Sequence, residues 1–327
     1  VNKDNTFHLQ TEKTSYVFRA LPSGQLEGMY YGKKIRNCSD FSFMFDKHEC
    51  GYSNATPRSQ KDTSLSLDHI ALEYSSYGKG DYRQSSMRLL SADDNFTTDF
   101  LYKSHTVNKV KPVLHGLPSS YGDSETLTVV LEDKILGAEL HLFYTVFEEC
   151  NVITRSVRLY NKSKKDIKIR SLMSMQLDMS KGALKITDFH GDWAREMNRN
   201  ETILRSGKYI NDTSVGFSSN RANPLFLWAD TETTQDYGDC YATNLIYSGN
   251  HREYAEAGGH GKMRILSGIN PDFFEWELAG GEVFCAPQAV MTYSHRGYQG
   301  VSRQLHHFVR EHIIRGEWKH KERPILI

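Results

Sequence analysis

Every second side chain is apolar along long stretches of this sequence. From Ala138, Leu140, Leu142, Tyr144 and Val146 share one face, with Glu139, His141 and Thr145 between them. From Ile167, the set Ile169, Ser171, Met173, Met175, Leu177 and Met179 alternates with Lys168, Arg170 and Gln176. Leu127-Val129-Leu131 and Ile153-Arg155-Val157-Leu159 repeat the pattern. A period of two puts successive side chains on opposite sheet faces, so each run predicts a strand with one buried face. Turn signals separate them: Pro22-Ser23-Gly24, Glu148-Glu149-Cys150-Asn151, Asn161-Lys162-Ser163, Gly258-Gly259 and Gly280-Gly281. Closely spaced strands with few helical patterns between them indicate a sandwich or barrel, not a parallel α/β sheet. The period changes once. After Gly297, Val301, Leu305, Phe308, Val309, His312 and Ile313 recur at three and four, the stripe of an amphipathic helix ending near Arg315-Gly316.

Between Phe45 and Arg83 the alternation fades into a polar, Tyr-rich stretch. Loops longer than about 12–15 residues usually have a function, so this is the candidate functional loop. The closing Ile325-Leu326-Ile327 reads as the opening of another buried strand, reached through the linker 316–324.

Composition narrows the function classes. In 327 residues, 40 Lys+Arg balance 40 Asp+Glu, which argues against binding a phosphate backbone. No run approaches the ~20 apolar residues of a membrane helix. Cys38, Cys50, Cys150, Cys240 and Cys285 are irregularly spaced with no C-x-x-C, the pattern of reduced thiols in a cytoplasmic protein. His306, His307, Glu311 and His312 share the predicted helix but form no H-E-x-x-H, so neither a metal nor a cofactor is expected. No G-x-S-x-G or G-x-G-x-x-G occurs. Two clusters, 73–83 and 190–196, mix aromatic rings with carboxylates and guanidinium groups. That mixture suits sugars, which offer apolar C–H faces and many hydroxyls.

A series of short motifs resembles α-galactosidases of glycoside hydrolase family thirty-six. It comprises Leu21-Pro22-Ser23-Gly24 with Tyr30-Tyr31-Gly32, Ser66-Leu67-Asp68, Gly80-Asp81-Tyr82-Arg83 and Asn151-Val152-Ile153-Thr154-Arg155. It continues through Asp192-Trp193-Ala194-Arg195-Glu196, Asn223-Pro224-Leu225-Phe226, Gly268-Ile269-Asn270-Pro271 and Arg323-Pro324-Ile325-Leu326-Ile327. The resemblance implies an all-β, two-sheet antiparallel supersandwich of galactose-mutarotase type over 1–296. Residues 297–327 would be a helix and linker leading into a (β/α)₈ catalytic barrel absent from these residues. In the family the nucleophile and acid/base carboxylates lie in that barrel, so no catalytic residue is assigned here. The implied role is a non-catalytic N-terminal domain that shapes the active-site mouth of an enzyme acting on raffinose- and melibiose-type α-galactosides, in a homo-oligomer.

The family's long N-terminal loop corresponds to 46–62, which makes Asp46, Glu49, Tyr52, Arg58 and Asp62 candidate sugar contacts, with Trp193 added from the second cluster. Thr63 stands where the family pattern has Arg, and Arg58 is the candidate substitute. Two other readings remain: a carbohydrate-binding module, or a free-standing epimerase using His141, or His190 with Glu275, as acid and base.

Overall fold

The computed structural model describes residues 1–2, 4–45 and 65–322. Among them the chain forms nineteen strands, one α-helix and two short 3₁₀ turns. The first strands are β1 (Thr6–Gln10), β2 (Thr14–Ala20), β3 (Leu26–Lys33), β4 (Met87–Leu90) and β5 (Leu101–Asn108). Then come β6 (Thr126–Asp133), β7 (Ala138–Phe147), β8 (Val152–Asn161), β9 (Ile167–Ser180), β10 (Leu184–His190) and β11 (Asn198–Leu204). β12 (Gly207–Asp212), β13 (Leu225–Ala229), β14 (Cys240–Ile246), β15 (His251–Ala257) and β16 (Lys262–Ile269) follow. The last are β17 (Trp276–Leu278), β18 (Val283–Cys285), β19 (Gln288–Ser294) and α1 (Gly297–His312).

These strands build a ten-stranded sheet in the order β11-β10-β13-β14-β19-β8-β7-β6-β5, with β18 also on β8. A six-stranded sheet runs β12-β15-β16-β9-β17, with β4 on β9, and β1–β3 make a third small sheet. Every ladder between named strands is antiparallel. The two large sheets share one core, which takes Leu140, Leu142, Tyr144, Val157, Leu159 and Met291 from one and Ile169, Leu177, Met263 and Ile265 from the other. This is the expected all-β supersandwich. Aromatic rings thread it: Phe18 stacks on Tyr144 at 5.0 Å, and Trp228 lies nearly parallel to Tyr241 at 5.7 Å.

The alternation predicted for β9 is interrupted twice. Pairing with β4 steps from Ser171 to Ile169, so Arg170 is extra; pairing with β16 steps from Met175 to Met173, so Ser174 is extra. Each bulge moves the following side chains to the other face. Leu172 therefore enters the shared core in place of Ser171, and Met173 packs instead with Tyr254 and Leu266 on the opposite side.

The helix lies on the outer face of the ten-stranded sheet. Tyr298 and Val301 pack on Leu227, Ala229 and Ala242; Phe308 packs on Phe147, Val152 and Val290. It ends at His312, before the predicted Arg315, and Gly316 at φ +69° starts a 3₁₀ turn. Its first residue is a fixed point. Gly297 has φ +59°, and a Cβ there would lie 2.3 Å from the Thr234 carbonyl oxygen. Gly297→Ala is expected to destabilise the chain by at least about 1–3 kcal/mol from backbone strain alone, read from thermal unfolding; a variant melting like wild type would refute this account.

Candidate functional site

Of the predicted sugar contacts, Asp46, Glu49, Tyr52, Arg58 and Asp62 lie outside the described residues. What the structure does give is how the chain after that segment is held. Residues 65–86 are not a loose loop; they are pinned into the sandwich by buried charge. Arg264, fully buried on β16, forks onto Asp178 of β9 with both N–O distances 2.8 Å, and its third nitrogen is 2.7 Å from Asp81. Arg83 bonds Asp81 at 2.8 Å and donates to the carbonyls of Leu67 (2.7 Å) and Ile70 (2.9 Å). Asp178 also accepts from the Leu72 amide at 2.9 Å. Burial alone would raise the Asp178 carboxyl, but the guanidinium groups of Arg264 and Arg83 outweigh it and hold the group below the usual carboxylate range.

A second buried cluster is centred on Glu73. Arg155 reaches it at 2.8 Å, and the hydroxyls of Tyr16 and Tyr144 donate to its two oxygens at 2.6 and 2.7 Å. Gln176 joins the clusters: it accepts from Ser75 at 2.8 Å and donates to the Leu72 carbonyl at 2.8 Å. A carboxylate that serves as nucleophile or acid must face open space where a sugar can lie. Glu73, Asp81 and Asp178 instead each face a guanidinium inside the protein, so their role is to position the segment.

Trp193 sits where a recognition residue could. It caps the turn between β10 and β11, with its side chain 86 % exposed. The turn is tight: Arg195 donates to the Asp192 carbonyl at 2.9 Å, the Trp193 amide to the Asp192 carboxylate at 2.8 Å, and Ala194 and Met197 adopt left-handed φ of 57° and 58°. It is the one predicted contact that falls among the described residues.

The acid/base candidates are dispersed. His190, at the end of β10, lies 3.0 Å from Asp188 and bonds the Arg221 carbonyl. Glu275 precedes β17 in the other large sheet and pairs with Arg170 at 2.7 Å. His141, on β7, packs against Tyr160 and sits 3.4 Å from Glu139. His190 and Glu275 thus lie at different sheets, each with a partner of its own. Glu275 does line a cleft of about 670 Å³ that sequence reasoning missed, with Tyr77, Arg88, Phe96, Arg170, Phe273 and Phe274. Phe273 stands fully exposed there on a left-handed backbone (φ 61°). The sequence had singled out Tyr77, Pro271 and Glu275 separately, with no signal that they share a cleft.

On the helix, Glu311 pairs with Lys319 at 3.2 Å, while His312 turns inward to Glu149 at 2.8 Å. The helical His/Glu set therefore does not converge on one point.

Comparison with known proteins matches residues 24–279 to the glycosyl hydrolase family 36 N-terminal domain and 283–327 to melibiase. The bifunctional alpha-galactosidase/sucrose kinase AgaSK of Mediterraneibacter gnavus is 35 % identical over 98 % of this chain, which covers 34 % of AgaSK. Alpha-galactosidase AgaA of Geobacillus stearothermophilus is also 35 % identical over 98 %, with 44 % of its own length covered. The crystal structure of the Lactobacillus brevis alpha-galactosidase superposes with a TM-score of 0.96 at 32 % identity, over 100 % of this chain and 44 % of that one. A Geobacillus AgaA structure in complex with raffinose gives 0.93 at 34 %, over 98 % and 45 %. The chain thus spans a third to under half of the relatives it matches.

Proposed function

The chain belongs to the glycosyl hydrolase family 36 N-terminal domain family, and from that membership we propose that it is the non-catalytic front domain of an α-galactosidase releasing terminal α-galactose from raffinose- and melibiose-type oligosaccharides. One observation carries the reading: likeness to α-galactosidases runs along 98 % of this chain yet takes up only 44 % of AgaA. Retaining glycoside hydrolysis needs two free carboxyl groups about 5–5.5 Å apart. The buried carboxylates described above are committed to arginines, which fits a supporting role. The domain would hold the 46–62 segment at the mouth of the sugar site, where Asp46, Glu49, Tyr52, Arg58 and Asp62 contact the substrate. Trp193 would add a ring face. A homo-oligomer in the cytoplasm belongs to the same proposal.

The test uses the chain alone. With melibiose, raffinose and stachyose we expect no free galactose, and calorimetry should show sugar binding no tighter than about millimolar. Release of galactose by material free of full-length enzyme would overturn the proposal. Micromolar binding would make the chain a binding module in its own right. Interconversion of α- and β-galactose above the buffer rate, followed by NMR, would make it an epimerase.

A further inference from the structure

Where the C-terminal end of α1 meets the turn between β7 and β8, three different donor groups converge. The carboxylate of Glu149, the thiol of Cys150 and the imidazole of His312 place one ligand atom each within 4.8 Å of one another. The Glu149 oxygen is 2.8 Å from His312 Nε2 and 3.7 Å from Cys150 Sγ. We propose that Glu149, Cys150 and His312 form a binding site for a zinc-type divalent cation that ties the end of the helix to the sheet.

The imidazole is prepared for this role. Its Nδ1 lies 2.9 Å from the Tyr121 carbonyl oxygen. A carbonyl only accepts, so Nδ1 carries the proton and Nε2 is directed at the Glu149 and Cys150 side. Metal-ligating histidines are typically oriented by such a bond from the other ring nitrogen. The ring is also clamped: Phe147 lies 4.5 Å from it and Phe308 5.5 Å. Gly122, at φ +113°, allows the Tyr121 carbonyl to approach, because a Cβ there would be 2.9 Å from Nδ1.

The donor set selects the metal. A thiolate, an imidazole and one carboxylate suit zinc and its neighbours; calcium and magnesium prefer an all-oxygen shell. Tetrahedral zinc with ligands at about 2.0–2.3 Å puts donor atoms roughly 3.3–3.7 Å apart. Cys150 is buried in the turn and His312 is clamped, so Glu149, whose side chain is half exposed, has the freedom to adjust. Its exposure also leaves the fourth position to water. In the metal-free chain the buried thiol keeps its proton and points it at the Glu149 carboxylate. Binding therefore forms bonds from the metal to the sulfur, to Nε2 and to the carboxylate oxygen, and releases to solvent the thiol proton and the proton that Nε2 shares with Glu149 in the metal-free chain. No electron is transferred.

Titration of the full chain with Co²⁺ as the probe should give one ion per chain, with a thiolate-to-cobalt charge-transfer band in the near ultraviolet. Zn²⁺ should displace the cobalt and raise the thermal midpoint. In Cys150→Ser the band disappears, and in Cys150→Ser and His312→Gln zinc affinity falls more than about tenfold. Retention of the band in Cys150→Ser would place the metal at another thiol and overturn the site. So would unchanged zinc affinity in His312→Gln, or no stoichiometric uptake by wild type. X-ray absorption on the zinc-loaded wild-type chain tests the site without any variant: one sulfur in the shell supports it, and a shell of nitrogen and oxygen alone overturns it.

Discussion

Arg264→Met should unfold at markedly lower denaturant, a loss of about 3–5 kcal/mol, because it removes the cation from a buried pair and leaves the anion behind. Asp178 and Asp81 would then face each other inside the sandwich with Arg83 as their remaining guanidinium partner. Arg264→Lys should recover only part of the loss, since a point charge cannot reproduce the two-nitrogen fork on Asp178. The damage should be local first. Residues 65–86 hang from this cluster, so limited proteolysis should cut there before elsewhere. The pH dependence has a defined sign. Asp178 is depressed in the folded chain, so its stabilisation is complete above the unfolded carboxyl value, about 3.9, and is lost as pH falls through the folded value. Arg264→Met should therefore flatten the acid limb of the stability curve. A variant with wild-type denaturant and acid profiles would show that the cluster contributes nothing.

A chain ended after Ala279 should not fold. The family match breaks between 279 and 283, which invites a cut there. Yet β19 lies in the interior of the ten-stranded sheet, paired with β14 along seven positions and with β8 along four. Removing residues 280–327 would open the sheet in its middle and strip the helix from its outer face. Val290, Met291, Tyr293, Val301 and Phe308 are each 3 % exposed or less. At about 1.5–3 kcal/mol per buried side chain, their loss alone consumes most or all of a typical stability of about 5–15 kcal/mol. Soluble yield and near-ultraviolet circular dichroism decide the matter. A 1–279 chain with a cooperative transition would show that the smaller piece is self-sufficient.

Strands were legible because alternation follows directly from which face is buried; β6, β7 and β8 appear where Leu127, Leu140 and Ile153 announce them. The bulges in β9 were not, because an extra residue is visible only against a partner strand, and β4 and β16 are far away in sequence. Arg155 was a readable anomaly: a charge in a core-facing position of an apolar run has to meet an opposite charge. Its partner Glu73 lies 82 residues earlier, a separation no local pattern encodes. The 65–83 stretch read as a loop because polar side chains that turn inward to one another interrupt its buried Leu67, Ile70 and Leu72. Of the candidate sugar contacts, only Trp193 falls among the described residues, and its aromatic-acidic neighbourhood had marked it.

The place of β19 also bears on how the chain is made. Its Gln288 bonds Thr154 across 134 residues. At about 5–20 residues per second, a ribosome needs roughly 7–27 s to deliver the missing strand after β8 has emerged. For that interval β8, joined by β14 once Ile246 has emerged, presents an unpaired backbone edge in the nascent protein, the kind of edge that recruits other strands. A holdase that shields those edges until translation passes Ser294 would therefore govern how much of this protein reaches its native sheet.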